Sequence, residues 1–177
     1  MTVQIGAKPD SGFDDPIGML VDCHRRIERF LNVLSVVAER AQGRALSQEE
    51  AAAVQSALQY FRVGGQRHTA DEEESLFPRL RAEGSDQTLS ELAALESDHG
   101  DASDLHAVAE TVYTDWIAAG ELRPEQQSQL QSAVSKLASL YSRHIGIEES
   151  IVFPRAAKAL GQKDLAEIGQ EFRTRRA

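Results

Sequence analysis

Apolar residues recur along this chain at alternating spacings of three and four, in four long runs and one short one. The first run places Ile17, Leu20, Ile27, Leu31, Leu34 and Ala38 in one phase, the pattern of a helix with one buried face. Asp14, Asp15 and Pro16 give it a start, an acidic cap with proline in the first turn, and Gly43 gives it a stop. His24 falls in the same phase, where the pattern asks for a hydrophobe. A second run opens on a capping box, Ser47 with Glu50, and continues through Val54, Leu58, Phe61, Gly65, His68, Glu72, Leu76 and Leu80 to Gly84.

The third run, capped by Ser85 or Asp86, has Leu89, Leu92, Leu95 or Glu96, His99, Ser103, His106, Glu110, Tyr113 and Ile117 before Gly120. Pro124 starts the fourth, which turns Leu130, Val134, Leu137, Tyr141, His144, Glu148 and Val152 inward before Gly161. From about Lys163 to Arg175 a short fifth run has Leu165, Ile168 and Phe172 on one face. No stretch sustains the period-two alternation of a strand. Long helices on short loops predict an all-α fold, an antiparallel up-down four-helix bundle with a short C-terminal fifth helix docked on it. Residues 1–13 are expected to form a flexible N-terminal arm, and 14–177 a single bundle domain.

Composition narrows the partners. The chain has 177 residues with a net charge of −9, which argues against nucleic acid, because that affinity rests on clustered Lys and Arg. Arg173, Arg175 and Arg176 form the only basic cluster and are expected to be a solvated helix end. No apolar run approaches the roughly 20 residues that span a bilayer, and no charged segment followed by an apolar one marks a secretory signal. Cys23 is the only cysteine, which fits a reducing compartment and a cytoplasmic protein.

Polar residues inside the apolar phase change the picture further. Two segments repeat, RHTADEEESLFPR from Arg67 and RHIGIEESIVFPR from Arg143. Each puts Glu four residues after His, so His68 with Glu72, and His144 with Glu148, share one helix face. From the first loop, His24 and His68 lie about 20 residues away in either direction, and so do His99 and His144 from the third loop. All four imidazoles therefore fall in one layer of an up-down bundle. Burying four imidazoles and two carboxylates without a cation is costly, so His24, His68, Glu72, His99, His144 and Glu148 are the expected metal ligands. Imidazole and carboxylate without thiolate suit Fe, Mn, Zn or Ni, with iron the best fit to a carboxylate-bridged pair in a bundle.

The order His24, His68-x-x-x-Glu72, His99, His144-x-x-x-Glu148, with Phe77-Pro78 and Phe153-Pro154 after the pairs, resembles the hemerythrin-like, or HHE cation-binding, family. That resemblance covers nearly the whole chain. It implies a bundle around a non-haem di-iron site, oxo- or hydroxo-bridged, with Glu72 and Glu148 bridging and the histidines as terminal ligands. Where oxygen carriers of the family have a second His four residues on in the third helix, this chain has Ser103. Fewer protein donors imply a more open centre, one that binds, senses or reacts with O2, NO or peroxide instead of carrying oxygen. Iron donation for cluster repair, a catalase- or peroxidase-like activity and a metal-dependent regulatory adaptor are the alternatives. Glu28, four beyond His24, is read as a surface or adjoining residue, and His106, seven beyond His99, as a residue adjoining the ligands or lining a channel, with coordination as the alternative for each. Phe77-Pro78 and Phe153-Pro154 are expected to kink and pack helix ends, Gly64 and Gly65 to allow close helix contact, and Tyr60, Tyr113, Tyr141 and Cys23 to pack in the interior.

Overall fold

Five helical rods follow the five apolar runs in a computed structural model that describes residues 10–177, with Asp86 described by its backbone alone. They are α1 (Pro16–Ala41), α2 (residues 48–83), α3 (Asp86–Ala119), α4 (residues 124–159) and α5 (Gln162–Thr174). No strand occurs among the described residues. The predicted boundaries have visible causes. Asp15 accepts the Gly18 N–H at 3.0 Å, and Ser47 and Glu50 exchange reciprocal bonds of 3.1 and 2.8 Å. Gln42 and Gly43, at φ 47° and 79°, and Gly120, at φ 81°, turn the chain out of α1 and α3 through the left-handed region.

α1 packs on α2 and α4, and α3 closes the ring against both. The arm expected over residues 1–13 falls largely on residues 1–9, which lie outside the described residues. Of the remainder, Ser11 donates its N–H to Asp22 at 2.6 Å, and the Phe13 carbonyl lies 1.9 Å from where a Cβ on Gly169 would stand. Only glycine lets α5 approach that backbone so closely. No helix among the described residues is long and apolar enough to cross a membrane.

The interior is divided along the bundle axis. One apolar cluster gathers Leu34, Val54, Tyr113, Trp116 and Leu137, and a second gathers Leu20, Phe77, Leu92, Phe153 and Phe172. α5 closes the second end, inserting Ile168 and Phe172 as its spacing predicts.

Three expectations are corrected. In α3 the inner face is Ala102, Ala109, Val112, Tyr113 and Trp116; Ser103 and Leu89 are exposed, and Glu110 pairs with Arg62 at 2.6 Å. A strict seven-residue repeat drifts by about 20° per heptad on a straight helix, so along 34 residues the true stripe leaves the one traced through Ser103 and Glu110. Of the arginine cluster only Arg173 is exposed as expected. Arg175 and Arg176 reach the wholly buried Asp71 at 2.9 and 2.5 Å, since that carboxylate requires charged partners.

The third correction concerns the Phe-Pro pairs. The Phe77 N–H bonds to the Glu72 carbonyl, and that of Phe153 to Glu148, five residues back. Each segment is thus a π-helical turn, Glu72–Leu76 and Glu148–Val152. Pro78 and Pro154 have no N–H to donate and would strike the carbonyl four residues back in a tight α-turn, and the wider turn relieves both problems. Phe77 and Phe153 are consequently carried into the core beside the histidines instead of packing helix ends.

Candidate metal centre

Between the two apolar clusters lies a layer of polar side chains contributed by α1 to α4. His24, Glu72 and Glu148 are fully buried, and His68 and His144 nearly so. The two His-x-x-x-Glu pairs behave as helix geometry requires: His68 Nε2 stands 3.3 Å from Glu72 Oε1, and His144 Nε2 stands 3.3 Å from Glu148 Oε1. The level reading also holds, for His24 meets His68 with ring centroids 5.0 Å apart, and His99 meets His144 at 4.7 Å.

These six residues form two overlapping groups of convergent donors. One is His24, His68, Glu72 and Glu148; the other is Glu72, His99, His144 and Glu148. Glu72 Oε1 faces His68, while its Oε2 lies 3.3 Å from His99 Nε2. Glu148 Oε2 lies 3.1 Å from His24 Nε2, while its Oε1 faces His144. Each carboxylate therefore divides its oxygens between the two histidine pairs.

Close approach here is not hydrogen bonding. All four carboxylate oxygens, together with His24 Nε2, lack a hydrogen-bond partner of acceptable geometry. Atoms 3.1 to 3.3 Å apart that do not bond to one another instead converge on common points. That spacing matches cis donors about 3 Å apart around a cation with ligand distances near 2.1 Å. A buried carboxylate with no partner costs several kcal/mol on general grounds, and a cation satisfies every such oxygen at once. The donor set fits a metal.

Carboxylates behind the rings set which nitrogen faces inward. Glu149 holds His24 Nδ1 at 2.9 Å, Glu73 holds His99 Nδ1 at 2.7 Å and Asp98 holds His144 Nδ1 at 3.4 Å. A carboxylate only accepts, so each Nδ1 carries the proton and each Nε2 presents a lone pair to the centre. The Nε2 atoms of His99 and His144 then face one another at 3.2 Å as two acceptors, a contact that calls for a cation between them. His68 Nδ1 has no such partner.

Both copies of the repeat make the same contacts. The residue after each paired glutamate, Glu73 or Glu149, crosses to a histidine on the neighbouring α3 or α1. The phenylalanine five beyond that glutamate stacks on the same histidine, Phe77 on His99 at 6.3 Å and Phe153 on His24 at 5.4 Å. Sequence reasoning noticed the phenylalanines for packing alone and did not use Glu73, Glu149 or Asp98. The doubled Glu-Glu in RHTADEEESLFPR and RHIGIEESIVFPR was the available signal.

Protonation reflects the same crowding. Burial, then the charge of Glu148, drives the Glu72 carboxyl well above its ordinary range. Burial acts on Glu148 in the same sense, but the closeness of the His144 and His24 imidazoles outweighs it and holds that carboxyl low. Burial opposes charge on His144, yet Glu148 and Asp98 raise it; burial lowers His68 and His99. The two buried carboxyls are thus driven in opposite directions, and a cation between them would favour the ionised form of both.

Several nearby candidates stand apart. Glu28 is exposed and pairs with Arg25 at 3.4 Å, and Glu96 pairs with Arg81 at 2.5 Å. His106 Nε2 lies 3.1 Å from the Tyr141 hydroxyl, outside both donor groups. Tyr60 donates to the Cys23 carbonyl at 3.3 Å, and Tyr113 donates to that of Leu34 at 2.5 Å. Cys23 is buried beside Arg26, its thiol pushed up by burial.

Comparison with known proteins agrees with this arrangement. The chain is 28% identical over 169 residues to an uncharacterized protein of Haemophilus influenzae, covering 93% of this chain and 91% of the relative. The family model for the hemerythrin HHE cation binding domain matches residues 15–156, which include all six convergent donors and stop short of α5. The chain belongs to the hemerythrin HHE cation-binding domain family.

Proposed function

We propose that the protein holds two iron ions in an oxo- or hydroxo-bridged centre and, in the cytoplasm, binds, senses or reacts with O2, NO or peroxide. His24 and His68 serve one ion, His99 and His144 the other, and Glu72 and Glu148 bridge them. The observation that carries this reading is the division of each carboxylate, one oxygen toward each histidine pair. Two shared carboxylates among four imidazoles, with no thiolate, favour a dinuclear centre of a borderline metal such as iron.

Iron bound there supplies electrons and open coordination positions to a small ligand. The chain's own residues do the rest. Glu73, Glu149 and Asp98 keep the Nδ1 protons in place and so make the inward nitrogens better donors. Phe77 and Phe153 exclude water from His99 and His24. Ser103 leaves the flank of His99 without a further imidazole, which favours reaction or sensing over reversible carriage.

Metal analysis of freshly purified protein, with Mössbauer and optical spectra, tests the proposal. Two irons per chain and a spectrum that changes when the reduced protein meets O2 or NO are expected. Absence of any metal-dependent spectrum under both aerobic and anaerobic conditions overturns it. Catalytic loss of added peroxide separates an enzyme from a binder in the same samples.

A further inference from the structure

A pocket of about 440 Å³ opens between α2 and α3. Its lining includes His99, Glu73, Ser103, His106 and Tyr141. A diatomic needs little more than the share of one water molecule, about 30 Å³. The pocket holds on the order of ten such volumes, and its size falls in the roughly 300–1,000 Å³ range of sites for small organic molecules.

Charge narrows the occupant. Arg62, the one Lys or Arg of the lining, is already paired with Glu110 at 2.6 Å, while the Glu73 carboxylate bonds to the His99 ring at 2.7 Å and Glu74 pairs with Arg175 at 3.1 Å. An anionic guest would find no free countercharge, would face these carboxylates and would lose hydration on entering. The remaining wall combines apolar surface from Leu58, Phe61, Ala102 and Ala107 with uncharged hydrogen-bonding groups on Thr69 and Ser103. His106 is neutral as well, because burial lowers it to about 4, and its Nε2 lies 3.1 Å from the Tyr141 hydroxyl. A neutral imidazole has one donor and one acceptor nitrogen.

We propose that this pocket binds an uncharged organic molecule with an apolar body and a hydrogen-bonding head, the head lying toward His99, Ser103 and His106. Among the ligands of the proposed function, the class with that chemistry is an organic hydroperoxide. The inference deepens that reading and depends on it for the choice of hydroperoxide, whereas the pocket's rejection of an anionic guest rests on its walls alone.

Calorimetric titration of the purified full chain with cumyl alcohol, a redox-inert analogue of cumene hydroperoxide, tests the inference. Saturable binding is expected, with benzoate, similar in size but anionic, at least about tenfold weaker. Gln66→Phe and Ala107→Phe fill the pocket from exposed positions on α2 and α3 and should each abolish binding with melting temperature and metal content unchanged. Unsaturable heats, equal binding of benzoate, or binding that survives both substitutions overturns the proposal. Metal content of the same samples judges the di-iron reading separately: cumyl alcohol binding in protein that never holds metal upholds the pocket and removes the reason for choosing a hydroperoxide.

Discussion

Glu73 and Glu149 act through histidines that they do not accompany on the same helix. Each fixes an Nδ1 proton and thereby aims the opposite nitrogen of His99 or His24 inward. Substitution of such a carboxylate costs about 10- to 100-fold in metal affinity in general. Glu149→Ala and Glu73→Ala should each weaken metal binding by about that factor, measured by competition with a chelator, and the glutamine variants should lose less because an amide oxygen still accepts. Unchanged affinity in both alanine variants would show that the rings are held by packing alone. His106 makes a different prediction. Its ordinary value of 6.5 is lowered to about 4 by burial, so below pH 6.5 the unfolded chain takes up a proton that the folded chain refuses. Stability should fall as pH drops from 6.5 to 4 and level off below, a loss of up to about 3 kcal/mol from this group. Urea unfolding of wild type and His106→Gln at pH 7 and pH 4.5 isolates it: the variant should lose less stability between those values, and identical losses would remove His106 as a cause.

At the scale of elements, the long helices and their caps were legible because a 3.6-residue period and local caps are written in neighbouring residues. The common level of His24, His68, His99 and His144 was legible for the same reason, since equal distances from a loop survive any detail of packing. Two features were not. The phase of α3 depends on which side chains its neighbours admit, and Trp116 and Ala109 won the interior over Glu110 and Ile117. The π-helical turns depend on a carbonyl five residues back, and Pro78 and Pro154 signalled a disturbance without saying that it would carry Phe77 and Phe153 onto histidines. A third π-helical turn, Phe61–Gly65, carries adjacent glycines with opposite expected behaviour. A Cβ on Gly64 would stand 2.6 Å from the Tyr60 ring, whereas one on Gly65 meets Phe61 at an ordinary 3.5 Å. Gly64→Ala should destabilise by about 1–3 kcal/mol through overpacking. Gly65→Ala should be neutral or stabilise by up to about 1 kcal/mol by restricting the unfolded chain. Thermal melts of the two variants check the pair, and equal effects would contradict the packing of Tyr60 on this turn.

Across the whole molecule, a polar layer separates two apolar clusters, and that layer is the part of the interior least able to hold itself together. Asp71 shows how the chain treats a buried carboxylate when stability is the only concern: the turn that follows α5 returns two arginines to it. Glu72, its immediate neighbour, and Glu148 receive no Lys or Arg among the described residues and leave all four oxygens without hydrogen bonds. Such a layer favours metal binding at the expense of the metal-free fold. Replacing buried ionic groups by apolar ones of similar size is often neutral or stabilising by about 1–4 kcal/mol. The double variant Glu72→Leu, Glu148→Leu should therefore melt at or above the temperature of metal-free wild type and show no further rise when metal is added. Wild type should gain about 4 kcal/mol per bound ion at free metal a thousandfold above its dissociation constant. Melting curves of both proteins with iron(II) under anaerobic conditions and with chelator make the comparison. If the double variant melts well below metal-free wild type, the carboxylates contribute to the fold without a cation, and the case that this layer exists to hold metal loses its energetic basis.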